Sequence, residues 1–177
     1  VPSLAEKNVF FGVGEEVVSG VGNFLDDIYN TQKSIINTWK NNIATATNIR
    51  KGNFGEMASD AFLAEKNFQP LHTRLQSIDA PTRQGIDGVF KKGNEYFIVE
   101  SKYSGTATLS NTADGKQMSD PWINGSNRLR NAVNNQAIYD DIVSSGYRRL
   151  LAEVAPDGSI IYKELDASAS VIGTFTP

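Results

Sequence analysis

Residues 85–102 read GIDGVFKKGNEYFIVESK, and no other stretch of the chain restricts the fold so tightly. Val89 and Phe90 on one side and Tyr96 to Val99 on the other are β-forming runs. Gly93-Asn94 between them is a two-residue turn signal. A turn of that length leaves one antiparallel register: Lys92 opposite Glu95, Phe90 opposite Phe97, and Asp87 opposite Glu100. Opposed residues project to the same side of a sheet. Lys102, two residues beyond Glu100, joins that side. Ile86, Phe90, Phe97 and Val99 are expected on the other side, facing a core.

Two carboxylates held side by side repel unless a positive charge lies between them. A divalent cation supplies that charge while keeping waters in its remaining positions. A lysine beside it can orient a water or stabilise negative charge developing on a phosphate. Asp87 with Glu100-x-Lys102 is thus a minimal set for metal-assisted hydrolysis of a phosphodiester. The plain alternative is a hairpin end meeting solvent, with Lys102 in an ordinary ion pair, because Glu-x-Lys alone is a loose motif.

Composition narrows the metal chemistry. The chain has no cysteine and a single histidine, His72, so disulfides and thiolate zinc sites are excluded. A metal site must rest on carboxylates, which favours magnesium, with manganese or zinc as substitutes. His72 has no partner at useful spacing and is expected to be structural. A net charge of −3 offers no general attraction to nucleic acid, so any such attraction must come from local clusters such as Arg50/Lys51, Lys91/Lys92, Arg128/Arg130 and Arg148/Arg149. At 177 residues the chain suits one core. No apolar run approaches a membrane span, and the start VPSLAEKNVFFGVGEE lacks a secretory-signal pattern; no membrane anchor is expected.

Along the chain, residues 1–49 differ from the rest. Gly12, Gly14, Gly20 and Gly22 precede a run from Phe24 to Ala46 whose apolar residues recur at helical spacing, including Ile28, Ile35, Ile36, Trp39 and Ile43. This reads as a helical lead-in. From residue 52 an α-β-β-β-α-β-β order is expected. It comprises a helix opened by Asn53 and ending near Asn67, strands at Gln69–Leu75, Ile86–Lys92 and Glu95–Tyr103, and a glycine- and serine-rich loop at Ser104–Gly115. A helix start follows at Asp120-Pro121, then a longer helix at Asn127–Ser145, and strands at Arg148–Val154 and Ile160–Leu165. The tail from Ala167 shows no clear pattern. The fold class is α/β, a mixed central sheet flanked by helices.

Other residues can serve the hairpin site, each with a simpler role beside the chemical one. Glu56 suits a third metal ligand, or closes a capping box with Asn53. Lys116 and Gln117 can contact a phosphate and the attacking water, or be a solvated lysine and a helix cap. Trp122 can stack on a base or sit in the core with Ile123. Arg128 and Arg130 suit phosphate contacts, or are solvated surface charge.

Taken together, GxxGE at residues 52–56, then GIDGVF, IVESKY and GKQMSDPWI, resemble the PD-(D/E)XK nuclease superfamily. The resemblance is closest to toxin domains of bacterial polymorphic toxins, and it covers about residues 52–165. It implies a restriction-endonuclease-like αβββαβ core with a helical lead-in, and a division into a pretoxin-like segment at 1–49 and a nuclease domain at 50–177. It assigns Asp87 and Glu100 as metal-binding acids, Lys102 as the catalytic lysine, Glu56 as the helical acid and Gln117 as an accessory residue. Ile86 stands where the family carries proline. The implied activity is a magnesium-dependent deoxyribonuclease. It would be secreted or injected as an effector through a carrier region, act in the cytoplasm of a competing bacterium, and be neutralised by a cognate immunity protein. Cleavage of RNA on the same fold, a non-catalytic binding module, and a restriction or repair nuclease are the competing readings.

Overall fold

A computed structural model describes residues 24–103 and 108–177; the glycines of the first 22 residues, and Ser104 to Ala107 in the glycine- and serine-rich loop, lie outside the described residues. Eight strands and five α-helices follow one another as α1 (Asp27–Trp39), α2 (Asn48–Glu65), β1 (Gln69–Pro70), β2 (Gly88–Lys92), β3 (Glu95–Tyr103), β4 (Asn111–Thr112), β5 (Gly115–Lys116), α3 (Asp120–Asn124), α4 (Arg128–Val133), α5 (Gln136–Ser145), β6 (Arg148–Val154), β7 (Ile160–Leu165) and β8 (Val171–Phe175). Six strands form one mixed sheet in the order β1-β2-β3-β6-β7-β8, and β4-β5 is a separate small hairpin. Among the described residues, only β3 and β6 run parallel. Their connection is the chain segment carrying α3, α4 and α5, as a parallel crossover demands.

The hairpin register is the expected one. Lys92 pairs with Glu95, Phe90 with Phe97 and Gly88 with Val99, and Gly93 supplies the positive φ of +60° that the tight turn needs. Alternation then sorts the side chains. Phe90, Phe97 and Val99 pack with Leu63, Phe68, Leu150 and Tyr162 on the α2 side. Val89, Tyr96 and Ile98 pack with Trp122, Ile123, Leu129, Val133 and Ile142 from the α3–α5 side. Ile86 joins this second group, not the Phe90 side expected for it. It precedes β2, where the chain bends at Gly85 (φ +104°), and period-two alternation holds only within the strand.

Helix α2 is buried on nearly every side between α1 and the sheet. Phe54 and Met57 are fully enclosed and pack with Ile36, Ile43, Leu75, Ile78 and Val154; burying each such side chain contributes about 1.5–3 kcal/mol. The helix begins at Asn48, five residues before the expected start, because Thr47 caps it by accepting from Arg50 N at 3.3 Å. Asn53 is therefore interior, and its amide donates to the carbonyls of Ile78 and Ala80. The capping-box alternative for Glu56 does not hold.

Other boundaries differ for identifiable reasons. The run from Phe24 to Ala46 is α1 followed by a separate 3-10 turn at Ile43–Thr45. The strand expected over Gln69–Leu75 shrinks to Gln69–Pro70. Beyond it, His72 Nδ1 accepts from Val89 N at 3.0 Å, so an imidazole replaces the next ladder bond. The long helix expected at Asn127–Ser145 is two, broken where Asn134 turns left-handed (φ +46°) and Asn135 caps α5 by accepting from Ile138 N. The tail forms β8, an edge strand on β7. Among the described residues, no helix is long and apolar enough to cross a membrane.

Candidate active site

The C-terminal half of β3 and the entrance to β2 open into a cleft of about 730 Å3. Its wall includes Glu56, Asp87, Glu100, Lys102 and Gln117, five residues that the sequence marked. Asp87 precedes the first residue of β2, and its Oδ2 accepts from Ser101 N at 2.9 Å. That bond extends the β2–β3 register by one step and fixes the carboxylate beside Glu100.

Glu100 is 4% exposed. Its Oε2 accepts from Lys102 Nζ at 3.1 Å and from Gln117 Nε2 at 2.7 Å. Gln117 is oriented in turn, since its Oε1 accepts from Ser110 N at 3.3 Å and its own N–H reaches Ser110 O. The cap alternative for Gln117 fails, because Ser119 occupies the N-cap of α3. Glu100 Oε1 is buried and has no hydrogen-bond partner among the described residues. A buried carboxylate oxygen left unpartnered is costly.

Glu56 reaches the cleft because α2 passes directly beside the end of β3. A Cβ added at Gly55 would stand 3.7 Å from Tyr103 N. Arg83 Nη2 donates to Glu56 Oε2, and Arg83 Nη1 donates to Thr73 O at 2.9 Å. Nothing in the sequence pattern marked Arg83. It lies in the polar loop after Pro81, and only the path of that loop brings it to α2.

Electrostatics set this cluster apart. Burial, reinforced by the neighbouring Asp87 charge and opposed by Arg83, pushes Glu56 up to about 9. Burial also raises Asp87 to about 6 against the Ser101 N–H bond and the Lys102 charge. Glu100 is held well above the usual carboxylate range by burial and by Asp87, with Lys102 opposing. Local cations thus fail to offset the three acids, the condition under which a site favours a further cation.

The residues fit a hydrated divalent ion at Asp87 and Glu100. Among the described residues, no group of three or more His, Asp or Glu side chains is arranged as a metal cage, and one oxygen of Glu56 is committed to Arg83. Magnesium needs only one or two carboxylates, with water and phosphate oxygens completing its shell. The orphaned Glu100 oxygen suits that role.

The remaining marked residues divide. Arg128 lines the cleft, with its Nη1 on Asp114 Oδ2 at 2.9 Å and Trp122 O at 2.7 Å. Trp122 is in the core, although it also borders the cleft. Lys116 points elsewhere, donating to Ala169 O at 3.0 Å. Arg130 lies over the Tyr139 ring at 4.3 Å and donates to Gln136, outside the cleft lining. His72 is buried against Asp60, with Nε2 3.1 Å from Oδ1.

The described residues are therefore a mixed α/β fold with helices on both faces of a six-stranded sheet and a carboxylate–lysine cleft at one strand end. Comparison with protein-family models, curated proteins and solved structures found no match.

Proposed function

We propose that the chain is a divalent-metal-dependent nuclease of the PD-(D/E)XK type that hydrolyses DNA phosphodiesters. The carrying observation is Glu100. It is buried across from Asp87, braced through Oε2 by Lys102 and Gln117, and has Oε1 unpartnered. The helix–strand order, with α2 beside the hairpin and a helical crossover to the parallel β6, supports a restriction-endonuclease-like core.

In this reading Asp87 and Glu100 hold the ion and Gln117 keeps Glu100 in its rotamer. Lys102, whose Nζ stands 3.1 Å from Glu100 Oε2, would stabilise the charge that develops on a phosphate oxygen during attack. A bound divalent ion supplies Lewis acidity and a more acidic water. Arg83 donates to Glu56 at the cleft wall and in this reading would exchange that contact for a phosphate.

The sequence resemblance extends the proposal to biology: a toxin domain delivered through a carrier into competing bacteria, with an immunity protein that blocks it in the producing cell. Purified protein is expected to degrade duplex DNA with magnesium or manganese and to stop when a chelator is added. Cutting that persists in the chelator, or no cutting with any divalent ion, sinks the proposal. Survival of bacteria expressing the chain without a partner gene would remove the toxin assignment alone.

A further inference from the structure

A second cavity of about 320 Å3 adjoins the cleft. Arg83, Gln84, Gly85 and Arg128 line both, so two guanidinium groups stand where they meet. The carboxylates lie on one side of this boundary. The cleft wall includes Glu56, Asp87, Glu100 and Asp114; the groove beside it carries Arg83 and Arg128 and no carboxylate. With a net charge of −3 the chain has no general pull on a polyanion, so the local arrangement decides where one can lie.

Both arginines retain donors. Arg128 makes its bonds to Asp114, Trp122 and Gly125 through Nη1 alone, and its guanidinium lies 4.6 Å from the Trp122 ring centre. Among the described residues its Nε and Nη2 have no hydrogen-bond acceptor. That side-on edge matches two phosphate oxygens. Arg83 uses Nη1 and Nη2 for Thr73 and Glu56, keeps Nε, and is 37% exposed at its side chain. Asn131, exposed on the groove wall, has an amide without a partner among the described residues.

We infer that this groove is a phosphate subsite for the substrate strand, gripping the phosphodiester next to the one cut at Glu100 and Lys102. The inference rests on the nuclease reading of the cleft and adds where the strand runs: over the Arg83–Arg128 boundary and into the groove beyond it. A strand so placed puts one phosphate on the carboxylate side, where an ion can accompany it, and the next among cations.

The test uses the Glu100→Gln chain with a short fluorescein-labelled DNA duplex, binding read by anisotropy over a salt series. Asn131→Asp adds a carboxylate at an exposed position without removing a contact. It is expected to weaken binding severalfold at low salt, with the difference closing as salt screens it. Arg83→Gln is expected to lower the slope of log affinity against log salt by about 0.9, one phosphate contact. Unchanged affinity and slope in both variants overturn the subsite. Wild-type cleavage with magnesium is measured in parallel: cutting with unaltered binding rejects the groove alone. Binding without cutting rejects the nuclease reading, and the subsite, defined by a cleaved neighbour, falls with it.

Discussion

Two groups of charged side chains on the same sheet behave in opposite ways. At the N-terminus of β6, Arg148 Nε and Nη2 donate to the two oxygens of Glu164 at 2.8 Å, and Nη1 reaches Glu95 at 3.0 Å. Glu164 is consequently held below the usual carboxylate range by that guanidinium. At the other end of β3, Glu100 meets Lys102 at a similar distance, yet its carboxyl is pushed up, because burial and Asp87 outweigh the lysine. A complete ion pair stabilises the charged form of its acid; an incomplete one leaves the charge unsatisfied. The first arrangement holds strands together, and the second is suited to take a cation.

The sharpest break of this comparison is a matched pair of isosteric changes. Glu100→Gln is expected to reduce cleavage of duplex DNA by a factor of about a hundred or more, with an unchanged or higher melting temperature, since it removes a buried acid that lacks full compensation. Glu164→Gln is expected to leave cleavage intact. If both changes cost activity equally, the cleft has no special role.

A divalent ion should discriminate the two regions next. Magnesium at a hundred times its dissociation constant is expected to stabilise the wild-type chain by about 2.7 kcal/mol, read as a rise in melting temperature. The same ion should give no rise in an Asp87→Asn, Glu100→Gln chain, whereas Glu164→Gln should keep it.

Acid–base linkage offers a third contrast. Asp87 and Glu56 titrate near 6 and 9 in the folded chain against ordinary values of 3.8 and 4.5, so between those limits the folded state binds more protons than the unfolded one. The stability these two groups contribute to the metal-free chain should therefore be fully present below their ordinary values and be lost as pH rises through 6 toward 9. Urea melts in chelator follow this directly, and magnesium should flatten the decline. A metal-free stability that instead climbs over that range would refute the unsatisfied-carboxylate account. The smallest effect belongs to Glu164→Gln on stability, a loss of up to about 1 kcal/mol for a partly exposed pair.

The hairpin shows how far local rules reach. Gly93-Asn94 and the alternation of Val89 to Val99 define a register with no freedom to slip, so the placement of Asp87 against Glu100, and of Lys102 beside it, was legible from the chain. The same rules failed at Ile86, two residues before the strand, because a bend had already broken the period. Asn53 and Glu56 matched a capping box, but tertiary packing of the Ile36–Phe54 cluster extended α2 back to Thr47. The Asn127–Ser145 pattern was helical throughout, and its break at Asn134 depends on backbone geometry that hydrophobic spacing does not encode.

What the sequence by itself determined is the hairpin, its register and the chemical identity of its three polar side chains, since turn length and period-two alternation act over a few residues. The tertiary structure alone decided which distant groups attend them. Gln117 meets Glu100 across 17 positions, and Arg83 meets Glu56 across 27. It also turned Lys116 toward Ala169 and left Arg128 facing the cleft. Such contacts follow from how loops close over a packed sheet, and loop closure is settled by the whole core.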